Sequence, residues 1–226
     1  SPAAVSSGSS AARPSLARGT AIVSSLTVVS RVLGFIRDLL VARIFGASPI
    51  ADAFFVAFRI PNLLRSFVAE GAMTSAFVPV FTQELTHSRE AARQALRSIS
   101  GLLIACTVCL TGLGMLFAEP LILFIAPGFG RDPAQFQLCV DLTQIMLPFI
   151  VCISLVALLN GALNSVGVFG AAAMAQVWMN VTLIAGALVA QTLAASSAAA
   201  VLAWSVLIGG LVQVATQLPA LWKQGF

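Results

Sequence analysis

The sequence predicts an all-α integral membrane protein of six transmembrane helices. Of its 226 residues, 59% are hydrophobic and only 9% are charged, whereas a soluble domain carries about 25% charged residues. A helix needs about 20 mostly apolar residues to cross a bilayer. Six windows meet that requirement, at residues 21–45, 51–81, 96–117, 136–163, 170–190 and 199–222.

The segments around these windows have loop chemistry. Residues 1–19 are small, Ser-rich and Pro-containing, and are predicted to form a disordered cytosolic tail, so that 20–226 make up the transmembrane unit. Glu119 and Pro120 are predicted to end the third helix, and 121–126 is too short to span, which places it at the membrane interface. Pro61 cannot donate to the carbonyl of Ala57, so a kink or break is expected within the second window.

Orientation follows from the Lys and Arg residues of the short loops. If the amino terminus is cytosolic, six basic residues lie inside (Arg13, Arg18, Arg89, Arg93, Arg97 and Lys223) and two lie outside (Arg43 and Arg131). This asymmetry predicts that both ends of the chain face the cytosol.

The first two windows hold nearly all of the intramembrane charge. Each Arg at the centre of a membrane helix costs about 2.5–3.5 kcal/mol on insertion scales. Residues 21–81 hold five Arg against three acids, so a water-filled cavity or an anionic ligand is expected beside them. The ionisable residues are Arg31, Arg37, Asp38, Arg43, Asp52, Arg59, Arg65 and Glu70.

Helical spacing arranges these charges. Arg31 and Asp38 are seven residues apart and share one face, with Arg37 about 120° away. Gly34 is a plausible bend between them. In the second helix, Arg59 and Asn62 fall on one stripe.

A purely structural interpretation of the charges stays open. Arg31 with Asp38, and Arg65 with Glu70, could form ion pairs that only hold the two helices together. The surplus of Arg over acid favours an anion site instead.

Other chemistry is weakly supported. Cys106 and Cys109 have a C-x-x-C spacing without a second ligand pair, so no metal or cofactor is predicted. The basic residues lie inside apolar runs, which argues against nucleic acid. The sequence has no nucleophile–base pair or phosphate-binding Gly loop, so an enzyme is not expected.

Several stretches resemble the MurJ/MviN-type lipid II flippases of the multidrug/oligosaccharidyl-lipid/polysaccharide exporter superfamily. They are 30–38 (SRVLGFIRD), 52–65 (DAFFVAFRIPNLLR), 69–72 (AEGA) and 76–79 (AFVP), and 126–129 (APGF) and 217–219 (QLP) agree. The resemblance implies the six-helix amino-terminal lobe of a two-lobe alternating-access transporter. The second lobe, which would be a partner, is not part of this sequence.

The resemblance also implies roles for individual residues. Arg31, Arg37 and Arg65 match cavity arginines that meet the diphosphate of the lipid-linked substrate, with Arg59 and Asn62 beside them. Asp38, Asp52 and Glu70 are assigned to gating, Asp52 and Glu70 because they match acidic positions linked to it. The implied activity is transfer of lipid II from the inner to the outer leaflet of the bacterial inner membrane. The alternatives are a flippase for another lipid-linked oligosaccharide, such as O-antigen units, and a non-transporting membrane scaffold.

Overall fold

The structure is a computed structural model that describes residues 13–66 and 76–226, and every regular element in those two ranges is helical. The α-helices are α1 (Arg13–Phe45), α2 (Pro49–Ser66), α3 (Val78–His87), α4 (Arg89–Leu116), α5 (Ala118–Ile125), α6 (Pro133–Met146), α7 (Phe149–Ser165), α8 (Gly170–Ala190) and α9 (Ala195–Lys223), with a 3₁₀ turn at Pro127–Arg131. The all-α prediction is confirmed.

Four segments of the described chain are long and apolar enough to cross a membrane: Arg89–Leu116, Pro133–Ser165, Gly170–Ala190 and Ala195–Lys223. They correspond to the last four predicted windows. The first two predicted windows are not among these four segments of the described chain, so the six-helix count stays a prediction.

Several element boundaries differ from the sequence-based ones. α1 begins at Arg13, inside the segment predicted as a tail. α2 continues through Pro61, so the predicted break is absent there. The second window reaches to residue 81, but α2 ends at Ser66, 67–75 lie outside the described residues, and α3 begins at Val78.

The fourth window is divided into α6 and α7 at Pro148. Proline lacks the N–H that would continue the backbone hydrogen bonds of the helix. At this junction the backbone instead forms hydrogen bonds between residues three apart, from Ile150 N to Leu147 O at 3.0 Å and from Val151 N to Pro148 O at 3.1 Å. The third helix was predicted to end at Glu119 and Pro120, but α4 already stops at Leu116, and both residues lie in the first turn of the short α5 that follows.

Close helix packing depends on glycines. A Cβ on Gly186 of α8 would lie 2.7 Å from Cβ of Ser205 on α9, and one on Gly210 would lie 2.6 Å from Cδ2 of Phe149 on α7. Real Cβ atoms cannot approach so closely, so only glycine permits these contacts. Small residues thus bring α9 close to both α7 and α8.

Candidate functional site

One stripe of α1 packs against α8. Ser30, Arg37, Val41 and Phe45 recur at helical spacing, and Ser30, Val41 and Phe45 are buried, whereas Arg37 is half-buried. Gly34 lies on the same stripe, where an added Cβ would be 3.8 Å from Nδ2 of Asn180. α1 is one continuous helix across Gly34, so no break occurs at this position.

Arg37 is held by two neighbours. Its Nε and Nη2 donate to Oδ1 of Asp38 at 2.9 and 2.8 Å, and its Nη1 donates to Oδ1 of Asn180 at 2.9 Å. Asp38 is largely exposed, with 68% of its side chain accessible, so this ion pair is weakened by solvent where water reaches it. The ion pair expected from spacing, Arg31 with Asp38, is replaced by this pair of adjacent residues.

Asn180 fixes the position of Arg37. The side chain is 2% exposed, and its Nδ2 donates to O of Ser30 at 2.9 Å and to Oγ of Ser30 at 3.2 Å. Because both amide atoms have partners, its acceptor oxygen is oriented toward α1. The direction of the guanidinium is therefore set from α8, on the other side of the helix contact.

A polar inner cavity begins at Arg37. Its volume is about 220 Å³, and Asn62, Gln176 and Gln213 line it together with Arg37, against apolar walls from α2, α7 and α8. Gln213 is buried, and its Nε2 donates to O of Ala175 at 2.9 Å. Its Oε1 has no hydrogen-bond partner. The inner cavity thus combines a cation with amide groups in an apolar bundle.

An open outer cavity of about 610 Å³ lies along α2. Asp52, Arg59 and Asn62 line it, together with Phe129 from the 3₁₀ turn. Asn62 lines both cavities, so α2 carries polar groups from its beginning to the middle of the bundle.

The structure brings together part of the predicted site. Arg37 and Asn62 share the inner cavity, and Arg59 and Asp52 share the outer one. Arg31 is exposed on α1 and lines neither cavity. Arg65 has its backbone in α2 but its side chain outside the described part of the chain, and Glu70 lies wholly outside it.

Three residues at the site were not predicted: Asn180, Gln176 and Gln213. They carry no charge, whereas every predicted site residue except Asn62 is charged. The available signal was an amide side chain within an otherwise apolar span, since such a group needs partners in a low-dielectric interior.

Nothing in the described residues forms a metal centre. No group of three or more His, Cys, Asp or Glu side chains converges in 13–66 or 76–226. Cys139 and Cys152 are buried in the packed helices, whereas Cys106 and Cys109 are exposed on α4.

The fold and the two cavities define the class of this protein, which is a helical membrane protein with a polar interior that contains a cation. A family model described as lipid II flippase MurJ matches residues 41–226. The chain therefore belongs to the MurJ family of lipid II flippases.

Individual relatives agree with this assignment. The chain is 42% identical over 202 residues to a probable lipid II flippase MurJ of Buchnera aphidicola, covering 89% of this chain and 39% of that protein. It is 42% identical over 210 residues to the lipid II flippase MurJ of Burkholderia cenocepacia, covering 92% and 40%. The chain spans about two fifths of the length of these curated relatives.

A solved structure has the same arrangement of helices. It is a lipid II flippase MurJ in an inward closed conformation, which superposes with a TM-score of 0.72 at 29% identity and covers 89% of this chain and 42% of that one.

Proposed function

We propose that this chain forms the substrate-binding amino-terminal lobe of a flippase that moves lipid II from the inner to the outer leaflet of the bacterial cytoplasmic membrane. Lipid II is a peptidoglycan precursor linked to a polyprenyl chain through a diphosphate. The observation that carries the proposal is Arg37, oriented by Asn180 at the edge of a polar cavity in an apolar bundle. Family membership supplies the substrate class.

The chemistry of Arg37 suits a diphosphate. A guanidinium donates bidentately to phosphate oxygens, and such charge-assisted bonds are stronger where water is scarce. Asp38 occupies two of the donors of Arg37. An arriving diphosphate would compete with that carboxylate, so Asp38 would hold the site when substrate is absent and regain it on release.

The other predicted residues have supporting roles in this proposal. Arg59 and Asn62 offer donors along α2 between the outer and the inner cavity. Asp52 stands at the outer end of that path, where it could pair with the second lobe when the transporter closes. Arg31, Arg65 and Glu70 keep the roles that the resemblance implies, as substrate contacts and an inner gate.

Two contacts support the proposed orientation. Nη1 of Arg89, at the start of α4, donates to O of Gln224 at 2.8 Å, so the beginning of α4 and the end of α9 meet at one end of the bundle. Nε2 of Gln135 donates to O of Pro49 at 3.0 Å, which joins the starts of α2 and α6. With 89–97 and Lys223 cytosolic, α1, α2, α4, α6–α7, α8 and α9 would each cross once, with both ends of the chain inside.

A complementation assay tests the function in the full-length protein. Variants with Arg37→Ala, Arg31→Ala or Arg65→Ala should fail to support growth of a flippase-depleted strain although their levels in the membrane are normal. Arg43→Ala is the matched control, because Arg43 lies exposed in the last turn of α1 and can reach the interface.

Three results would contradict the proposal. Normal growth of the Arg37→Ala strain would remove Arg37 from transport. Loss of the variant protein from the membrane, with rescue of growth when its level is restored, would make the cluster structural. Growth rescued by the wild-type gene only in a strain lacking an O-antigen flippase would identify a different lipid-linked sugar.

A further inference from the structure

A line of buried amide groups leads away from the inner cavity along α9. Gln213 lines that cavity and is 2% exposed, and Gln217 follows one turn later and is 0% exposed. Among the described residues, Oε1 of Gln213 and both Oε1 and Nε2 of Gln217 have no hydrogen-bond partner. A buried amide group without a partner costs free energy, and most such groups in folded proteins are paired with protein or with ordered water. These atoms therefore indicate a small polar ligand.

Helix α7 runs beside this part of α9 in the same direction. An added Cβ on Gly210 would be 2.8 Å from Cβ of Cys152, near the beginning of α7. Further along both helices, Leu221 of α9 shares a buried cluster with Leu159 of α7. Gly210, Gln217 and Leu221 lie on one stripe of α9. Gln217 therefore lies against α7, between these two levels.

α7 adds a third amide group to the line. Ile153 lines the inner cavity, and Asn160 follows seven residues later on the same face of the helix. Within the described part of the chain, Oδ1 of Asn160 is buried and has no hydrogen-bond partner. Unpartnered amide oxygens thus continue from the polar cavity along two packed helices.

The unpartnered atoms select the ligand. Three of them are amide oxygens, so the ligand must donate hydrogen bonds or carry positive charge. A cation is disfavoured, because Gln213, Gln217 and Asn160 carry no negative charge and Arg37 lines the same cavity. Water both donates and accepts, and a buried water typically makes about three hydrogen bonds. Water therefore satisfies the oxygens and Nε2 of Gln217 together.

An apolar layer closes the far end of the line. Leu221 is 7% exposed and Leu163 is 0% exposed, and both belong to a buried cluster that includes Phe81. Phe226 packs against the same cluster. The inner cavity is therefore the side from which water reaches Gln217.

We propose that ordered water extends the inner cavity between α7 and α9 as far as Gln217 and Asn160 and forms an internal water site in this lobe. The inference goes beyond the proposed function, because it holds for any ligand that the inner cavity takes. The site supplies water that hydrates Arg37 when a ligand leaves the cavity. The apolar layer at Leu221 keeps this water from forming a path to the end of the bundle.

Deuterium exchange of side-chain amides tests the water site, measured by solid-state NMR on full-length protein in lipid bilayers. The Nε2 protons of Gln217 should exchange about tenfold faster than the Nδ2 protons of Asn180, which must first leave their hydrogen bonds. Asn180 is the matched control, because it is 2% exposed and its Nδ2 donates to Ser30. Exposure alone predicts the opposite order. Equal or slower exchange at Gln217 would overturn the proposal.

Gln213→Met tests whether the water enters from the inner cavity. Methionine keeps the approximate size of glutamine but removes its polar atoms, so exchange at Gln217 should slow several-fold. Thr216→Val is the control on the same helix, since the hydroxyl of Thr216 donates only to carbonyls of α9, those of Val212 and Gln213. Exchange at Gln217 that is unchanged in Gln213→Met would show that the water does not belong to the inner cavity.

Gln217→Met separates a hydrated amide from one that has no partner at all. If water satisfies Gln217, the thermal midpoint of the variant should equal or fall below that of wild type, because satisfied hydrogen bonds are lost. An amide without any partner destabilises the wild-type protein, so a higher midpoint in the variant would refute the water site.

Replacing sodium and potassium by choline distinguishes water from a bound cation. Exchange at Gln217 should be the same in both media. A change in its rate would show that a small cation occupies the site and would contradict the proposal.

Discussion

Helices α1 and α2 differ from helices α8 and α9 in their exposed charge and in how closely they pack. α8 and α9 pack closely at Gly186 and Gly209, where the space between the helices is too small for a side chain. α1 and α2 instead expose Arg31 and Arg59, and α2 borders the open outer cavity.

The charged side chain and the residues that orient it lie on different helices. Arg37 belongs to α1, but Asn180 of α8 orients it, and Gln213 of α9 lines the cavity that it faces. The packed helices are thus a rigid frame that fixes the direction of a functional group on the charged pair.

The largest effect is expected when the residue that orients Arg37 is replaced. Asn180→Leu takes away the acceptor of Arg37 and the donor to Ser30. Because hydrogen bonds to charged groups contribute about 1.5–3 kcal/mol, affinity for a diphosphate lipid should fall about tenfold to a hundredfold. A lipid-competition assay on the full-length protein measures this.

Thr182→Val serves as the control for that substitution. Thr182 is on the same helix, and its hydroxyl donates only to the carbonyl of Trp178 in its own helix. An unchanged affinity in Asn180→Leu would show that Arg37 needs no support from α8.

Packing in the frame should be the next most sensitive property. In Gly210→Val the new Cβ would lie 2.6 Å from Phe149 and 2.8 Å from Cβ of Cys152. Overpacking of this kind costs about 1–3 kcal/mol, so the thermal midpoint of the purified protein should drop by several degrees. Gly112→Val meets open space and should melt like wild type; equal midpoints for both variants would mean that α7 and α9 are not tightly packed.

A smaller change is expected at Asp38. Asp38→Asn removes the carboxylate that competes for Arg37, but an exposed ion pair contributes only about 0.2–1 kcal/mol. Diphosphate-lipid retention should therefore rise by up to about fivefold, while transport slows because release loses its competitor. Weaker retention in this variant would contradict the role of Asp38 as a counter-ion to the empty site.

The smallest effect is expected at Gly34. An alanine Cβ would make ordinary contact with Asn180, and α1 is already helical there. Gly34→Ala should change stability by at most about 1 kcal/mol, in the stabilising direction given by helix propensity. Loss of transport without loss of stability would instead point to a bend at Gly34 during the cycle.

The sequence predicted what depends on composition and local spacing. The apolar windows located α8 with its ends unchanged at Gly170 and Ala190. Charge located Arg37. These features need no knowledge of which helices are neighbours.

What the sequence could not predict depends on tertiary neighbours. Spacing paired Arg31 with Asp38 because they share a face, but Asn180 draws Arg37 toward α8, where it also reaches Asp38. The 150 residues between Asn180 and Ser30 place that contact beyond any local pattern.

The central claim is that Arg37 forms a phosphate site, and lipid retention by native mass spectrometry tests it most directly. Full-length protein would be offered a diphosphate and a monophosphate lipid with the same polyprenyl chain. Wild-type protein should prefer the diphosphate lipid, Arg37→Ala should lose that preference, and Arg37→Lys should keep part of it because the charge remains without the planar fork. Equal retention of the two lipids by wild type, unchanged in Arg37→Ala, would contradict the account.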